Sequence, residues 1–433
     1  MKRQLSGIIA ILFLTACTVQ KPEQLIKLVD VERLIKTLSS DEMEGRGTFT
    51  PGIDRAAKFI ENEFKQIGLK PLDGDNDFRQ DFMVKRIKPE SIQATIDGKT
   101  IDQQNVLIIS DLPISGFDQS SGNNVILIAA GDQFIQKYRE ITAMKSPVLV
   151  LVDNQHAQMF KRLKDNSSRG RIVEKQNQTA AAVFILGESD VASYRVSFRN
   201  KIEELPLFNV AGMLPGRSKV KELVLVSAHY DHLGIVEEVD GDAIANGADD
   251  DASGTTAVIS LAKYYKKLNN NERTLIFVAF TAEEVGGFGA RHFSSLLNPD
   301  DVVAMFNIEM IGKESKFGKN AAFITGYERS DFGEILQKNL AGTDFKFHPD
   351  PYPTQNLFYR SDNATLAALG VPAHTISTVQ IDTDKYYHTV KDEFETLEVA
   401  NIHATIKAIA LSARSIVAGT DTPKRILKLN GRP

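Results

Sequence analysis

Between residues 208 and 417, short apolar runs alternate with stretches whose apolar positions recur at helical spacing. The runs are "ELVLVSA" (222–228), "TLIFVAF" (274–280), "VVAMFNI" (302–308), "AAFIT" (321–325) and "VPAHTIS" (371–377). Residues 252–268 carry apolar side chains at 258, 261, 265 and 268, one face of a helix, and 286–297, 331–341 and 396–417 read as helices too. Buried-type strands alternating with helices predict an α/β fold, a three-layer sandwich around a mixed, largely parallel sheet. Upstream, 25–39 predicts a helix, and 53–67 another, with apolar positions at 56, 60, 64 and 67 and Gly68 as its stop. From 88 to 204 the texture changes. "NNVILIAA" (123–130), "PVLVLVD" (147–153) and "AAAVFIL" (180–186) read as strands, with a polar helix at 156–166 between them. No pair of catalytic residue types stands at a telling spacing there, so 88–204 reads as an inserted β-rich domain. It separates an N-terminal part, 25–87, from a main part, 205–433.

The first residues carry a different pattern. "MKRQLSGIIAILFLTAC" has Lys2 and Arg3 and then an apolar run from Gly7 to Leu14. That is shorter than the roughly 20 residues needed to span a bilayer, and it reads as a signal peptide over 1–16. Leu14-Thr15-Ala16-Cys17 resembles a bacterial lipoprotein cleavage box, and Cys17 is the one cysteine of the chain. The expectation is a lipidated Cys17 on a polar tether, 17–24. The protein would then be exported to the bacterial cell envelope and held to a membrane by that anchor, on the periplasmic side or the outer surface. The formal net charge of −5 shows no basic excess and gives no support to nucleic-acid binding.

The chemistry gathers where the predicted strands end. His229 follows the first strand in "SAHYDH", and Asp249 opens the triple aspartate of "NGADDDASG". Glu283 and Glu284 follow the second strand in "FVAFTAEE", Glu309 follows the third in "FNIEM", and His388 stands in "YYHTVKDE" after the fifth. In open α/β sheets ligands bind beyond the carboxyl ends of the strands. Imidazoles and carboxylates without a thiolate suit zinc and, less exclusively, manganese or cobalt. Three adjacent aspartates repel one another unless something positive lies among them. Asp249 is therefore expected to bridge two cations, with Asp250 and Asp251 capping the helix that starts near Ala252.

Together "SAHYDHLG", "NGADDDASG", "FVAFTAEEVGGFGA", "FNIEMIG" and "YYHTVKDEFETL" resemble the M28 family of dizinc aminopeptidases. "SSDEMEGRGTFTPG" and "FKQIGLKPL" resemble the start of its secreted bacterial members, and the insert is loosely similar to a protease-associated domain. The resemblance implies two Zn2+ per chain, one held by His229, Asp249 and Glu309 and the other by Asp249, Glu284 and His388. It makes Glu283 the general base that takes a proton from water and hands it to the leaving amine, and it makes Asp231 the group that orients His229. Many members have Asp where Glu309 stands. Peptides with free N-termini are the implied substrates.

Other readings compete. A glutaminyl-cyclase-like acyltransferase would use one zinc, and the complete second ligand set argues against it. A carboxypeptidase or dipeptidase would use the same site with the opposite polarity. A non-catalytic surface binding lipoprotein would keep the fold and lose ligands, yet every position here is filled. His232 reads as a loop residue, His374 as a hydrogen-bonded core histidine, and His156, His292, His348 and His403 as structural. Tyr359, Arg360 and Asp362 read first as local structure beside a substrate pocket.

Overall fold

The computed structural model describes residues 22–72, 74, 76–175 and 180–429, so the expected signal segment and Cys17 lie outside the described residues. Every apolar run expected as a strand is one. The main sheet runs, in chain order, through β1 (Arg79–Ile96), β2 (Tyr194–Leu214), β3 (Lys219–His229), β4 (Arg273–Phe280), β5 (Val302–Ile308), β6 (Ala321–Ile324), β7 (Lys346–Pro349) and β8 (Ala373–Ser377). In space the order is β7-β6-β8-β5-β3-β4-β2-β1. The centre, β4-β3-β5-β8, is parallel. Antiparallel pairings of β6 on β8 and of β2 on β4 and β1 flank it, so the sheet is mixed and parallel at its core, as expected.

Successive residues of a strand face opposite sides of the sheet, and here both sides are covered. Leu275, Phe277 and Ala279 of β4 join Val224, Val226, Ala304 and Phe306 in one apolar core. That core also takes α1 (Leu28–Leu38), α2 (Pro51–Ile67), α3 (Gly254–Leu268), part of a helix at Phe332–Asn339, and the long helix Val399–Ser412. Ile276, Val278 and Phe280 face the other way, with Leu225 and Met305, onto helices Phe288–Leu296 and Asn363–Ala368. The α2 helix ends at Gly68, whose φ of 80° lets its N–H reach back to Phe64 and Lys65. Among the described residues, no helix is long and apolar enough to cross a membrane.

The insert departs from the expectation in how it is attached. β1 and β2 stay paired from Arg79–Val210 out to Ile96–Tyr194, a ribbon that leaves the centre of the main sheet and takes short strands on its edges, Lys99–Thr100 and Arg171–Val173 on β1 and Ile114–Asp118 on β2. The borders read at 88 and 204 therefore fall inside continuous strands. The outer half of β2 was not legible as a strand because its apolar positions are spaced by charged ones. In the structure this is plain alternation, with Tyr194, Val196 and Phe198 buried and Arg195, Ser197 and Arg199 exposed. Beside the ribbon lies a separate four-stranded sheet of Val106–Ile109, Ala182–Leu186, Val148–Val152 and Asn124–Ile128, in that spatial order. One of its faces packs on the ribbon through Ala94, Ile96, Tyr194, Val196 and Phe198, and the other is covered by the insert's own helices.

Candidate active site

The parallel strands β3, β4, β5 and β8 end at one edge of the sheet, and the sequence places its titratable residues there. His229 is the last residue of β3, Glu309 follows β5 directly, and Glu283 and Glu284 lie in the turn after β4. His388 comes from the loop after β8, and Ala248–Ser253 is the irregular turn that feeds α3. Four residues that build this edge adopt left-handed backbone conformations without being glycine: Arg46, Ala282, Met310 and His388, with φ between 49° and 59°. Such conformations cost free energy and gather where structure holds side chains for function.

The shared carboxylate is Asp250, which corrects the expectation for Asp249. Asp250 Oδ1 lies 3.2 Å from His229 Nε2, and its Oδ2 lies 3.3 Å from His388 Nε2. His388 Nε2 is also 3.2 Å from Glu284 Oε2. Asp249 faces away: its Oδ1 accepts the Gly312 N–H at 2.7 Å, and its Oδ2 lies 3.3 Å from Lys313 Nζ. The reason is local. The backbone leaves helical values at Asp250 (φ −106°, ψ 96°) and Asp251 (φ −127°, ψ 45°), so neighbouring side chains point in different directions. Asp251 Oδ1 accepts from Gly254 N at 3.0 Å and Met310 N at 3.1 Å, so the helix-capping role foreseen for Asp250 and Asp251 falls to Asp251 alone. Gly254 keeps this junction open, since a Cβ there would sit 2.2 Å from the Ile308 carbonyl oxygen.

Three adjacent aspartates thus meet three different environments. Burial opposes ionisation of Asp250, but hydrogen bonds from His229 and His388 outweigh it and hold its pKa well below the usual carboxylate range. Burial pushes Asp251 well up and Asp249 up. Burial also raises Glu283 well above an ordinary glutamate, helped by the nearby charges of Glu309, Asp362 and Glu284. For His388, burial works downward, yet hydrogen bonds to Asp250 and Glu284 push its pKa up to about 10.

Two further residues depart from the sequence reading. His232, read as a loop residue, is buried, with Nδ1 2.8 Å from Glu284 Oε1 and 3.8 Å from Asp250 Oδ2. Its place three residues after His229 in "SAHYDH" was the available signal. Asp231 was expected to orient His229, and it does so through its backbone carbonyl, 3.1 Å from Nδ1, while its carboxylate stands 3.8 Å away. That carboxylate instead accepts the N–H groups of Glu283 and Glu284, at 3.0 and 3.3 Å, and the Thr48 hydroxyl at 3.1 Å. His374 is the core histidine expected, bonded to the Thr325 carbonyl and the Ser330 hydroxyl, and burial lowers its pKa to about 4.

The cluster has the chemistry of a cation site. His229, Asp250 and Glu309 offer ligand atoms within 4.8 Å of one another, and so do His232, Asp250 and Glu284. Buried Glu309 Oε2 has no hydrogen-bond partner within the protein. A carboxylate oxygen shut away from water without a donor is costly unless a cation faces it. Beside the cluster opens a cavity whose far wall is apolar, formed by Met310, Phe323, Leu357, Val379, Ile381 and Tyr387.

The sequence profile of peptidase family M28 matches residues 209–413, which span β3 to β8 and every residue of this cluster. The chain carries an M28 peptidase domain. It is 24% identical over 333 residues to aminopeptidase YwaD of Bacillus subtilis, an alignment covering 72% of this chain and 66% of that protein. It is 26% identical over 205 residues to leucine aminopeptidase 1 of Paracoccidioides brasiliensis, covering 44% of this chain and 50% of the relative. The chain thus spans one half to about two thirds of the length of these relatives. Two solved structures share the fold. An aminopeptidase from Aneurinibacillus sp. strain AM-1 has a TM-score of 0.55 at 18% identity, covering 95% of this chain and 97% of that one. The zinc aminopeptidase BSAP from Bacillus subtilis has a TM-score of 0.55 at 17% identity, covering 90% and 95%.

What holds the M28 site in shape comes partly from outside residues 209–413. Arg46, in the "EGRG" loop before α2, is fully buried and spends its guanidinium on five backbone carbonyls. These belong to Leu38, Tyr230, Asn246, Gly247 and Asp250, at 2.6 to 3.4 Å. On the other side, Lys313 joins Asp249 to Asp384, 2.6 Å away in the loop that carries His388. The buried Asp392 carboxylate accepts the N–H groups of both Asp249 and Asp250. Arg46→Met should therefore strand several buried carbonyls and lower unfolding stability by at least about 3 kcal/mol. Urea unfolding with an unchanged m-value checks this, and a loss under about 1 kcal/mol would show that the loops hold without it.

Proposed function

We propose that this protein is a zinc-dependent aminopeptidase that holds two ions around Asp250. One would be held by His229, Asp250 and Glu309, the other by Asp250, Glu284 and His388. The observation that carries the proposal is the spacing around Asp250. Ligands about 2.0–2.1 Å from a tetrahedral zinc stand about 3.4 Å from each other. The contacts of His229 and His388 with Asp250, and of His388 with Glu284, are 3.2 to 3.3 Å, one imidazole to each oxygen of Asp250. His232 does not fit this spacing. Its 2.8 Å contact with Glu284 is a hydrogen bond, and we assign His232 to orienting that carboxylate.

Zinc bound there supplies Lewis acidity that polarises a peptide carbonyl and brings the pKa of water near neutral. The protein's own part falls to Glu283. Its raised pKa makes it a better proton acceptor near neutral pH than a free glutamate, and the same group then donates the proton to the departing amine. The Asp231 carboxylate fixes Glu283 by holding its backbone N–H. The apolar wall of the cavity suits the first side chain of a peptide. The names of the relatives support attack at the amino end. Glu309 is a longer ligand than aspartate, and its carboxylate is steadied by the Ser361 hydroxyl. Export and lipid anchoring at Cys17 belong to the same proposal.

Three outcomes are expected. Asp250→Asn lowers bound zinc well below two ions per chain, whereas Asp249→Asn leaves the zinc content near that of the unaltered protein; metal analysis after dialysis distinguishes them, and equal losses would return the bridge to doubt. Glu283→Gln keeps its zinc and loses activity on peptides with free amino ends by about a hundredfold or more. Activity on N-acetylated peptides, or shortening from the carboxyl end, would overturn the polarity. Cys17→Ser moves the full-length chain from the membrane to the soluble fraction on cell fractionation, and an unchanged distribution would exclude the anchor.

A further inference from the structure

We propose that Arg360 forms a subsite for the free carboxylate of a dipeptide, so that dipeptides are the favoured substrates. The inference rests on the aminopeptidase reading and goes beyond it in naming the far end of the substrate.

Two clefts meet at Glu283. One contains Asp250, Glu284, Glu309 and His388 and ends on the apolar wall. The other leads past Gly286, Gly287 and Arg291 to Asp362. Three residues line both: Glu283, Arg360 and Ser361. Ser361 fixes this junction relative to the reacting centre, because its hydroxyl is bonded to Glu309 and accepts from Asn307 Nδ2 at 2.7 Å. Arg360 is the next residue in the chain. A peptide whose first side chain fills the apolar cleft presents its first peptide bond at Glu283 and sends the next residue into the second cleft. Consecutive Cα atoms are about 3.8 Å apart, so the carboxylate of a dipeptide comes to rest within the shared junction.

Two arginines line this path, and their states differ. Arg291 is occupied, bonded to Glu174 of the insert and to the Gly286 carbonyl, with its guanidinium 4.4 Å from the ring centre of Phe288. Arg360 is exposed, and among the described residues only its backbone is bonded, to Leu357. A planar guanidinium with free donors is the group best shaped to take a carboxylate through two parallel hydrogen bonds. Glu283 and Asp362, which line the same cleft, offer a carboxylate no comparable cationic donor, and Arg291 is already paired, so Arg360 is the partner that remains. A longer peptide carries its terminal charge past the junction and forgoes this contact.

The test uses the zinc-loaded protein with three substrates: Leu-Ala, Leu-Ala amide and a pentapeptide that begins Leu-Ala. The reading is the ratio of kcat/KM for Leu-Ala to that for its amide. The unaltered protein should prefer the free acid by about tenfold or more, mainly through KM, with the pentapeptide close to the amide. Arg360→Ala should bring the ratio near one, Arg360→Lys should keep part of it, and added salt should shrink it in the unaltered protein. A ratio near one in the unaltered protein, or one that Arg360→Ala leaves unchanged, would overturn the subsite while the aminopeptidase reading stands. Failure to cleave any of the three with zinc bound would bring down that reading and this inference with it.

Discussion

The site depends on a buried guanidinium. Arg46 sits among backbone carbonyls from α1's C-terminus, from the end of β3 and from the turn that feeds α3. Burial works against its charge, and Asp392, Asp250, Asp251 and Asp231 support it from nearby. No other side chain type could do the same: a lysine offers three donors on a point charge, whereas five carbonyls in fixed directions need the planar fork. The consequence is that the loop at 39–52, far from the catalytic motifs in sequence, sets where His229 and Asp250 stand. The N-terminal segment is thus part of the catalytic architecture rather than a cover over it.

Around that point, charge is arranged by separating carboxylates onto different partners. Asp249 belongs to Lys313, Asp251 to backbone N–H groups, Asp231 to the Glu283–Glu284 turn, and Asp392 to the amides of the triple-aspartate turn. Asp250, Glu284 and Glu309 are left facing imidazoles and one another. The left-handed backbone at Ala282, Met310 and His388 is the local cost of aiming these side chains inward from strand ends.

Much of this could be read from sequence, and the failures have physical causes. Periodicity found β3, β4, β5, β6 and β8, because both faces of the sheet are buried there and its strands must be apolar throughout, whereas β1, β2 and β7 were not read as strands. The strand-end rule gathered His229, Glu283, Glu284, Glu309 and His388 onto one edge. It could not choose among Asp249, Asp250 and Asp251, since the choice turns on two backbone torsions that leave no trace in composition. His232 was missed because a buried imidazole and a solvated loop histidine look alike without their partners. Arg46 was missed because a charged residue between glycines has the signature of an exposed turn. The outer half of β2 was missed because a ribbon with one covered face needs few apolar residues.

The attachment of the insert carries a consequence for how such a chain can change. β1 and β2 are one continuous ribbon, and where it crosses the domain Phe82, Val84, Leu205 and Leu207 pack on Ala282 and Phe288, the residues that bracket the glutamate turn. The register of the two strands is therefore fixed beside the chemistry, and a second time at the far end, where Ala94, Ile96, Tyr194, Val196 and Phe198 pack on the insert's own sheet and residues 195–199 pair with 114–118. The inner cluster is separate from the outer one, so change at the far end of the ribbon leaves the register beside the chemistry in place, and the insert is the region in which this architecture is free to diverge. Ile172 and Glu174 are the exceptions, because they reach back to that apolar cluster and to Arg291. Variation that spares those two contacts can give lineages new surfaces without disturbing the site beneath.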